Sequence, residues 1–439
     1  MDASTLIEKY DRPVPRYTSY PTAVHFNHEI SQDYYASLLS ELKSDEEVSL
    51  YLHIPFCHAL CHYCGCHTKV VNSYTPVKAY VQTLLQEIDL VGNALSQKPK
   101  ISHLHFGGGS PNFLKPEDMG AILDALRQYF DLKRGPEIAI ETDPRLLDSN
   151  NIEALARMGF TRVSLGVQDF DPVVQEAVNR VQPFEGVHEG ILHLRDAGIK
   201  NINFDLMVGL PLQTLDTVQE SVNRAISLLP DRLAVFAYAH VPWMQKHQKL
   251  LEKYDLPQAK LRFDMIRYIK ERLENAGYHS IGIDHFARER DSLYKAYEGG
   301  TLRRNFQGYT DDQAETLIGL GISSISAFKS AYAQNTTSAP DYRRAIEAGE
   351  FPIKRGRILD DEDVRRRRLI TTMMCGYEVD VTDYPEACEQ LKQLEQDRLV
   401  EINNGTVKIT NNGWPFARIA ASCFDTYYQP QEGQHAKVI

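Results

Sequence analysis

The sequence predicts an α/β protein: a partial (β/α)6 TIM-like barrel with an N-terminal arm and a mainly helical, winged-helix-like C-terminal domain. Three observations carry this. Short β-rich runs alternate with longer helical stretches between residues 48 and 241. The residues closing those runs are polar or glycine. Beyond about residue 350 the rhythm gives way to charged helices and a hairpin. The expected organisation is an arm (1–45), a barrel with its extension (46–350), and a C-terminal helical domain with a small hairpin (351–439).

In the arm, Arg16-Tyr17-Thr18-Ser19-Tyr20-Pro21-Thr22 is aromatic and turn-prone, and reads as extended. The β runs are Val48 to Phe56, Ile101 to Phe106, Glu137 to Glu141, Arg162 to Val167, Asn201 to Val208 and Arg232 to Val241. Between them, Met119, Ile122, Leu123, Leu126 and Phe130 make one apolar helical stripe behind Pro116-Glu117-Asp118, a good first turn. Leu215, Val218, Val222 and Ile226 make another. Strands joined by helices imply a parallel sheet with right-handed crossovers. The closing residues are Gly107-Gly108-Gly109, Glu141, Gln168, Asp205 before Gly209, and His240. In a βα barrel such residues share one rim, where the chemistry lies. An open doubly wound sheet leaves a similar rhythm.

Toward the C-terminus, Asp360-Asp361-Glu362-Asp363 precedes Arg365-Arg366-Arg367-Arg368, a helix with an acidic first turn and charge pairs. Leu399 to Ile402 and Thr406 to Ile409 flank Asn404-Gly405, a hairpin signal. The arginines fit either DNA contact or a solvated helix face, and the charge balance favours the face.

The net charge is −11, from 48 Lys+Arg against 59 Asp+Glu over 439 residues. That argues against a non-specific nucleic-acid or anionic-membrane partner. Met1-Asp2-Ala3-Ser4-Thr5 has neither the basic nor the apolar region of a signal peptide, and no apolar run is long enough to span a bilayer. Seven cysteines, four of them crowded together, suit a reducing compartment. The expectation is a soluble cytoplasmic protein.

Those four cysteines occupy Cys57-His58-Ala59-Leu60-Cys61-His62-Tyr63-Cys64-Gly65-Cys66, directly after the first β run. Cys57, Cys61 and Cys64 have the spacing C-x3-C-x2-C. Three thiolates on one loop can hold three irons of a [4Fe-4S] cluster and leave the fourth open to a small molecule. The alternative is zinc, with Cys66 as fourth ligand and His53, His58, His62 and His67 as further candidates. Structural zinc usually takes ligands from two separated knuckles, so ligands crowded on one short loop close poorly into a tetrahedron. Cys375, Cys388 and Cys423 are other possible fourth cluster ligands, though none has a partner spacing. Cys66, two residues from Cys64, is a poor extra ligand; it shapes the loop or touches an intermediate.

The cysteine spacing after the first strand of a βα repeat resembles the radical S-adenosylmethionine (SAM) superfamily. With Cys66 and the preceding Tyr51-Leu52-His53-Ile54-Pro55-Phe56, the chain resembles the oxygen-independent coproporphyrinogen III oxidase (dehydrogenase) family. The likeness runs nearly end to end. It takes in Pro15 to Thr22, Gly107 to Pro111, Glu141 to Arg145, Gly166 to Phe170, Asp205 with Gly209-Leu210-Pro211, Asp284 to Arg288, Asn305 to Tyr309 and Cys423 to Tyr427.

The resemblance implies SAM chelated at the open iron, cleaved by an electron from the cluster to methionine and a 5′-deoxyadenosyl radical. It implies two SAM molecules. Tyr51, Gly108, Glu141 and Ile325 match positions contacting the cluster-bound one; Tyr63, Gly109, Ser110, Gln168, Arg180, Asp205 and Ala239 match positions contacting the second. Cys66 and Tyr51 stand as catalytic candidates. The implied substrate is coproporphyrinogen III, two of whose propionates become vinyls, giving protoporphyrinogen IX. An electron donor such as flavodoxin or ferredoxin and a monomeric state are also implied. A tetra-anionic substrate needs a local positive pocket, for which Arg16, Arg288, Arg303 and Arg304 are candidates, with Tyr17 and Tyr20 as a lid.

Blander readings stand beside these. Gly107 to Gly109 suit a tight strand-to-helix turn, Glu141 and Asp205 helix N-caps, and Arg180 a surface ion pair. As a whole the chain also admits a haem chaperone, an anaerobic haem-degrading enzyme, or a zinc-stabilised interaction protein. The arm and the extended C-terminal region speak against the chaperone.

Overall fold

The computed structural model describes residues 3–132, 135–429 and 436–439; Met1 and Asp2, where the arm begins, lie outside them. The six expected runs are six strands: β1 (Glu47–Ile54), β2 (Lys100–Gly108), β3 (Glu137–Thr142), β4 (Arg162–Gln168), β5 (Asn201–Val208) and β6 (Arg232–Ala237). Each pairs in parallel with the next. β6 stops at Ala237, short of Val241. Its ladder partner ends at Val208, where Gly209 turns away with φ +90°.

Short strands extend both edges: β7 (His279–Ile281), β8 (His285–Ala287), β9 (Thr316–Leu320), β10 (Ile325–Ala327), β11 (Ala331–Asn335) and β12 (Ile353–Ile358). The sheet runs β12-β11-β10-β9-β1-β2-β3-β4-β5-β6-β8-β7 and does not close. Apart from β9, which pairs parallel to β1, the added strands are antiparallel. The architecture is the expected partial barrel, with β12 carrying the large sheet past residue 350.

The helices pack their predicted faces. Met119, Ile122, Leu123 and Leu126 are buried on the helix Pro116–Tyr129. Val218 and Val222 are buried on the helix Leu215–Ser227, whose N-terminus is closed by a reciprocal Thr214–Thr217 capping box. Glu141 and Asp205 are therefore not N-caps: each lies within a strand, and Asp143 and Thr214 cap the helices that follow.

A second core joins the two ends of the chain. Leu6, Ile7, Tyr10, Val14, Tyr17 and Tyr20 of the arm pack with Leu369, Met373, Phe416 and Phe424. The arm begins as a helix, Ala3–Tyr10. Tyr17 and Tyr20 are 2% and 1% exposed. The Tyr17 hydroxyl donates to Asp425 at 3.0 Å, and that of Tyr20 meets Thr426 at 3.0 Å. The two rings fasten the arm to the C-terminal domain and are not a lid.

That domain carries the helices Asp361–Met374 and Pro385–Gln396 and a three-stranded sheet. Its hairpin turns on Asn404 and Gly405, both at positive φ, as a two-residue primed turn requires. The arginine run is neither a free DNA face nor wholly solvated. Arg366 is buried against Glu362, Glu386 and the Phe424 carbonyl, and Arg367 donates to the Phe328 and Lys329 carbonyls. Among the described residues no helix is long and apolar enough to cross a membrane.

Candidate active site

The C-terminal ends of the parallel strands open into a cavity of about 710 Å3, at the upper end of the range for small-molecule sites. Cys57, Cys61, Cys64 and Cys66 line it with Tyr63, Gly108, Gly109, Ser110, Glu141, Gln168, Arg180, Asp205 and Ala239. Tyr51 and Ile325 stand outside that lining. The Tyr51 hydroxyl lies 3.1 Å from His53 Nδ1, and His53 Nε2 lies 2.9 Å from the His67 carbonyl. A carbonyl only accepts, so Nε2 carries the ring proton and Tyr51 donates to Nδ1. Ile325 packs on the side of Phe26 and Tyr332.

The cysteine loop is held by its own carbonyls. Gln248 Nε2 donates to the Tyr63 carbonyl at 2.9 Å and Gln245 Nε2 to that of Gly65 at 3.1 Å, while His247 Nε2 is 2.8 Å from that of Cys64. From the other side, Asn179 Nδ2 donates to the Leu60 carbonyl at 2.8 Å, and His62 N–H to that of Val178 at 2.9 Å. Sequence reasoning missed these supports, because a side chain bonded to a backbone leaves no periodic mark.

Cys57 Sγ lies 3.6 Å from Ser110 Oγ, and burial pushes its thiol up to about 11. Cys66 is exposed to the cavity. Among the described residues no three His, Cys, Asp or Glu side chains converge as one metal ion would need. All four cysteines line the one cavity.

Arg180 was open to being a surface ion pair, yet it is buried. Its Nε and Nη2 donate to the Gly166 carbonyl at 3.1 and 2.6 Å, and Nη1 to Cys61 Sγ at 3.4 Å. Burial works against its charge, but Tyr63 and Asp143 outweigh that and hold the guanidinium above its ordinary value. Beside it the β4–β5 register slips between Gly166 and Gln168, and Gln168 sits at φ +66°. Strain of this sort clusters at functional sites.

Glu141 and Asp205 face the cavity from β3 and β5. Burial raises the Glu141 carboxyl, but His105 at 3.2 Å and the Gly108 N–H at 3.1 Å more than offset it, so Glu141 stays below its usual range. Asp205 has only Ser164 Oγ at 3.3 Å. Burial, then the charge of Glu141, pushes it up to about 7. Two carboxyls on one wall are thus shifted in opposite directions, Glu141 down and Asp205 up.

The glycine turn is dictated by β1. A Cβ on Gly109 would stand 2.7 Å from the Phe56 carbonyl oxygen, and one on Gly108 would stand 2.8 Å from the His53 ring. The tight-turn reading is correct in itself, and the exposed backbone it leaves at the cavity is its by-product.

Of the four candidate arginines, Arg16 and Arg304 line the cavity. Arg303 instead donates to the Gln313 carbonyl at 2.5 Å, and Arg288 lies over the Tyr278 ring at 4.9 Å. Arg16 Nη2 donates to Asp284 at 2.6 Å, and Asp284 also meets His285 at 2.7 Å. Arg304 is 8% exposed. Its Nη2 reaches the Arg16 carbonyl at 3.3 Å, while its Nε and Nη1 have no hydrogen-bond partner among the described residues.

Residues 51–225 match the Radical SAM superfamily. A protein of Bradyrhizobium diazoefficiens named oxygen-independent coproporphyrinogen III oxidase is 41% identical over 450 aligned positions, covering 100% of both chains.

The chain belongs to the oxygen-independent coproporphyrinogen III oxidase family.

A Helicobacter pylori protein of the same name is 36% identical and covers 98% of each chain. The solved structure of coproporphyrinogen III oxidase (HemN) from Escherichia coli, described as a radical SAM enzyme, superposes with a TM-score of 0.91 at 35% identity, over 97% of this chain and 99% of that one. As an oxygen-independent coproporphyrinogen III oxidase, the chain takes a [4Fe-4S] cluster and SAM as cofactors. The site fits them: three thiols from one anchored loop share a roomy cavity with exposed glycine backbone and acceptor carboxylates.

Proposed function

We propose that the chain carries out the oxygen-independent oxidative decarboxylation of two propionates of coproporphyrinogen III to vinyls, giving protoporphyrinogen IX for haem biosynthesis. The observation that carries this is identity spread over the whole length of curated relatives of that name, arm and C-terminal domain included.

Cys57, Cys61 and Cys64 would hold the cluster. When bound, the cluster and SAM supply a 5′-deoxyadenosyl radical that removes a hydrogen from the propionate β-carbon. Loss of that hydrogen, carbon dioxide and one electron leaves the vinyl. We assign Gly108 and Glu141 to the cluster-bound SAM, with Tyr51 and Ile325 acting from behind the wall. Tyr63, Gly109, Ser110, Gln168, Arg180, Asp205 and Ala239 are assigned to a second SAM. What supports a role at this site is that the pKa of Glu141 is lowered despite burial, which suits an accepting carboxylate, and that Arg180 ties Cys61 to β4.

Arg16 and Arg304 form the substrate's positive pocket. Arg304 supports this best, since a buried guanidinium with two nitrogens lacking a hydrogen-bond partner among the described residues is a costly arrangement that a propionate would complete. Cys66 faces the cavity without a ligand's place, which suits contact with a reaction intermediate. The chain acts as a cytoplasmic monomer and draws its electrons from a carrier such as flavodoxin or ferredoxin.

The test is anaerobic reconstitution with SAM, dithionite and coproporphyrinogen III, with protoporphyrinogen IX and 5′-deoxyadenosine as the expected products. Deoxyadenosine without the porphyrin product would reject the substrate. Neither product, with the cluster intact, would reject the activity. For Cys66→Ser the expectation is an intact cluster and lost turnover; loss of the cluster would remove Cys66 from the chemistry.

A further inference from the structure

The exposed apolar side chains are not scattered evenly. Trp243, Met244 and Leu250 are 56%, 66% and 52% exposed and fall within eight residues of one another. This is the segment whose Gln245, His247 and Gln248 grip the cysteine loop. Beneath the exposed residues Val174, Val178, Leu210, Tyr238 and Leu251 form a small buried cluster against which Tyr63 of the loop packs. The outward residues thus stand on the scaffold of the iron-binding loop. Contiguous exposed apolar surface of this sort marks an interaction site more often than chance.

The charge of this face opposes that of the molecule. The chain carries a net −11. Yet Lys246, Lys249 and Lys253 are exposed beside the apolar residues. The stretch 57–71 contains Lys69 and three histidines but no carboxylate. Between 241 and 255 the three lysines outnumber two carboxylates, Glu252 and Asp255, and Glu252 lies 3.6 Å from His240. An apolar centre with a basic rim on an acidic protein complements an acidic partner.

We propose that this face docks a small acidic protein carrying a one-electron centre, which reduces the cluster. The proposal rests on the function above, because that chemistry must take an electron from outside for every SAM cleaved. One electron leaves the carrier's reduced centre and enters the cluster; no atom or proton need move with it. A compact patch suits a carrier that must leave after each delivery, since electron-transfer encounters are among the smallest interfaces, below about 1,200 Å2.

The experiment uses the full chain, reconstituted, with a reduced flavodoxin as probe and dithionite as the non-docking control. Cluster bleaching is followed by anaerobic stopped flow. In the variant Lys246→Glu/Lys249→Glu/Lys253→Glu, the second-order rate with flavodoxin should fall about tenfold or more at low salt. The salt dependence seen in the parent should flatten. Trp243→Ser/Met244→Ser should slow the same rate and leave its salt slope intact. Reduction and deoxyadenosine formation with dithionite should be unchanged in both variants. Unchanged flavodoxin rates would overturn the proposal, as would an equal fall with dithionite. So would finding that the charge variant instead loses binding to anionic vesicles or self-association. If the dithionite-reduced parent made no deoxyadenosine, the functional reading would fail instead, while the bleaching rates would still decide the docking site.

Discussion

Replacing Arg304 by methionine should make the apo-protein no less stable and the enzyme much worse. Two Arg304 nitrogens, Nε and Nη1, are buried without a hydrogen-bond partner among the described residues, and each such nitrogen costs about 1–3 kcal/mol. Against that roughly 2–6 kcal/mol stand one hydrogen bond to the Arg16 carbonyl, worth about 1 kcal/mol, and the contact with the Tyr309 ring at 4.3 Å, worth up to about 2 kcal/mol. Methionine fills much the same volume and removes both sides of that balance, leaving a net change between about −1 and +5 kcal/mol, weighted in the variant's favour. The melting temperature of the apo-chain by calorimetry should therefore match or exceed the parent's. With substrate present the balance inverts. A charge-assisted bond to a propionate is worth about 1.5–3 kcal/mol, so kcat/KM for coproporphyrinogen III should fall about ten- to a hundredfold. Deoxyadenosine formation without substrate should hold. A variant that melts several degrees lower, or that keeps its kcat/KM, would refute the reasoning.

Three further outcomes follow from the site. Asp205 keeps its proton in the folded chain up to about pH 7 against an ordinary 3.8, whereas the unfolded chain releases it first, so this group's contribution to stability declines as pH rises across that window. Asp205→Asn should accordingly melt above the parent at pH 8 in apo-protein, with the gap closing towards pH 5. Arg180→Lys loses the fork that ties Cys61 to the Gly166 carbonyl, and a point charge does not replace it; iron retained per chain under chelator challenge should reveal affinity roughly tenfold weaker or worse. Gly109→Ala sets a methyl 2.7 Å from a backbone oxygen that cannot swing aside, so calorimetry should show a loss of about 1–3 kcal/mol.

The strand rhythm was legible because buried parallel strands and amphipathic helices each stamp a period on the chain. So was the rim, since Glu141, Gln168 and Asp205 stand in or at the end of strands where the cavity opens. The antiparallel strands at the edges escaped notice: most are three to six residues long, too short to show alternation. The fate of the arm was hidden for another reason. Tyr17 meets Asp425 across 408 residues, and no local pattern announces such a pairing. Arg303 and Arg304 were indistinguishable as letters; they separate because neighbours in a strand point to opposite faces, one outward to Gln313 and the other into the cavity.

The clasp on the iron-binding loop bears on how the enzyme ages. Zinc fingers fold only when their metal arrives, and chelators denature them. Here three consecutive carbonyls, those of Tyr63, Cys64 and Gly65, already have partners that belong to the protein. None of these bonds runs through the metal, so the loop keeps supports that removal of the cluster would not break, and a chain stripped by a chelator should take iron and sulfide back without being refolded.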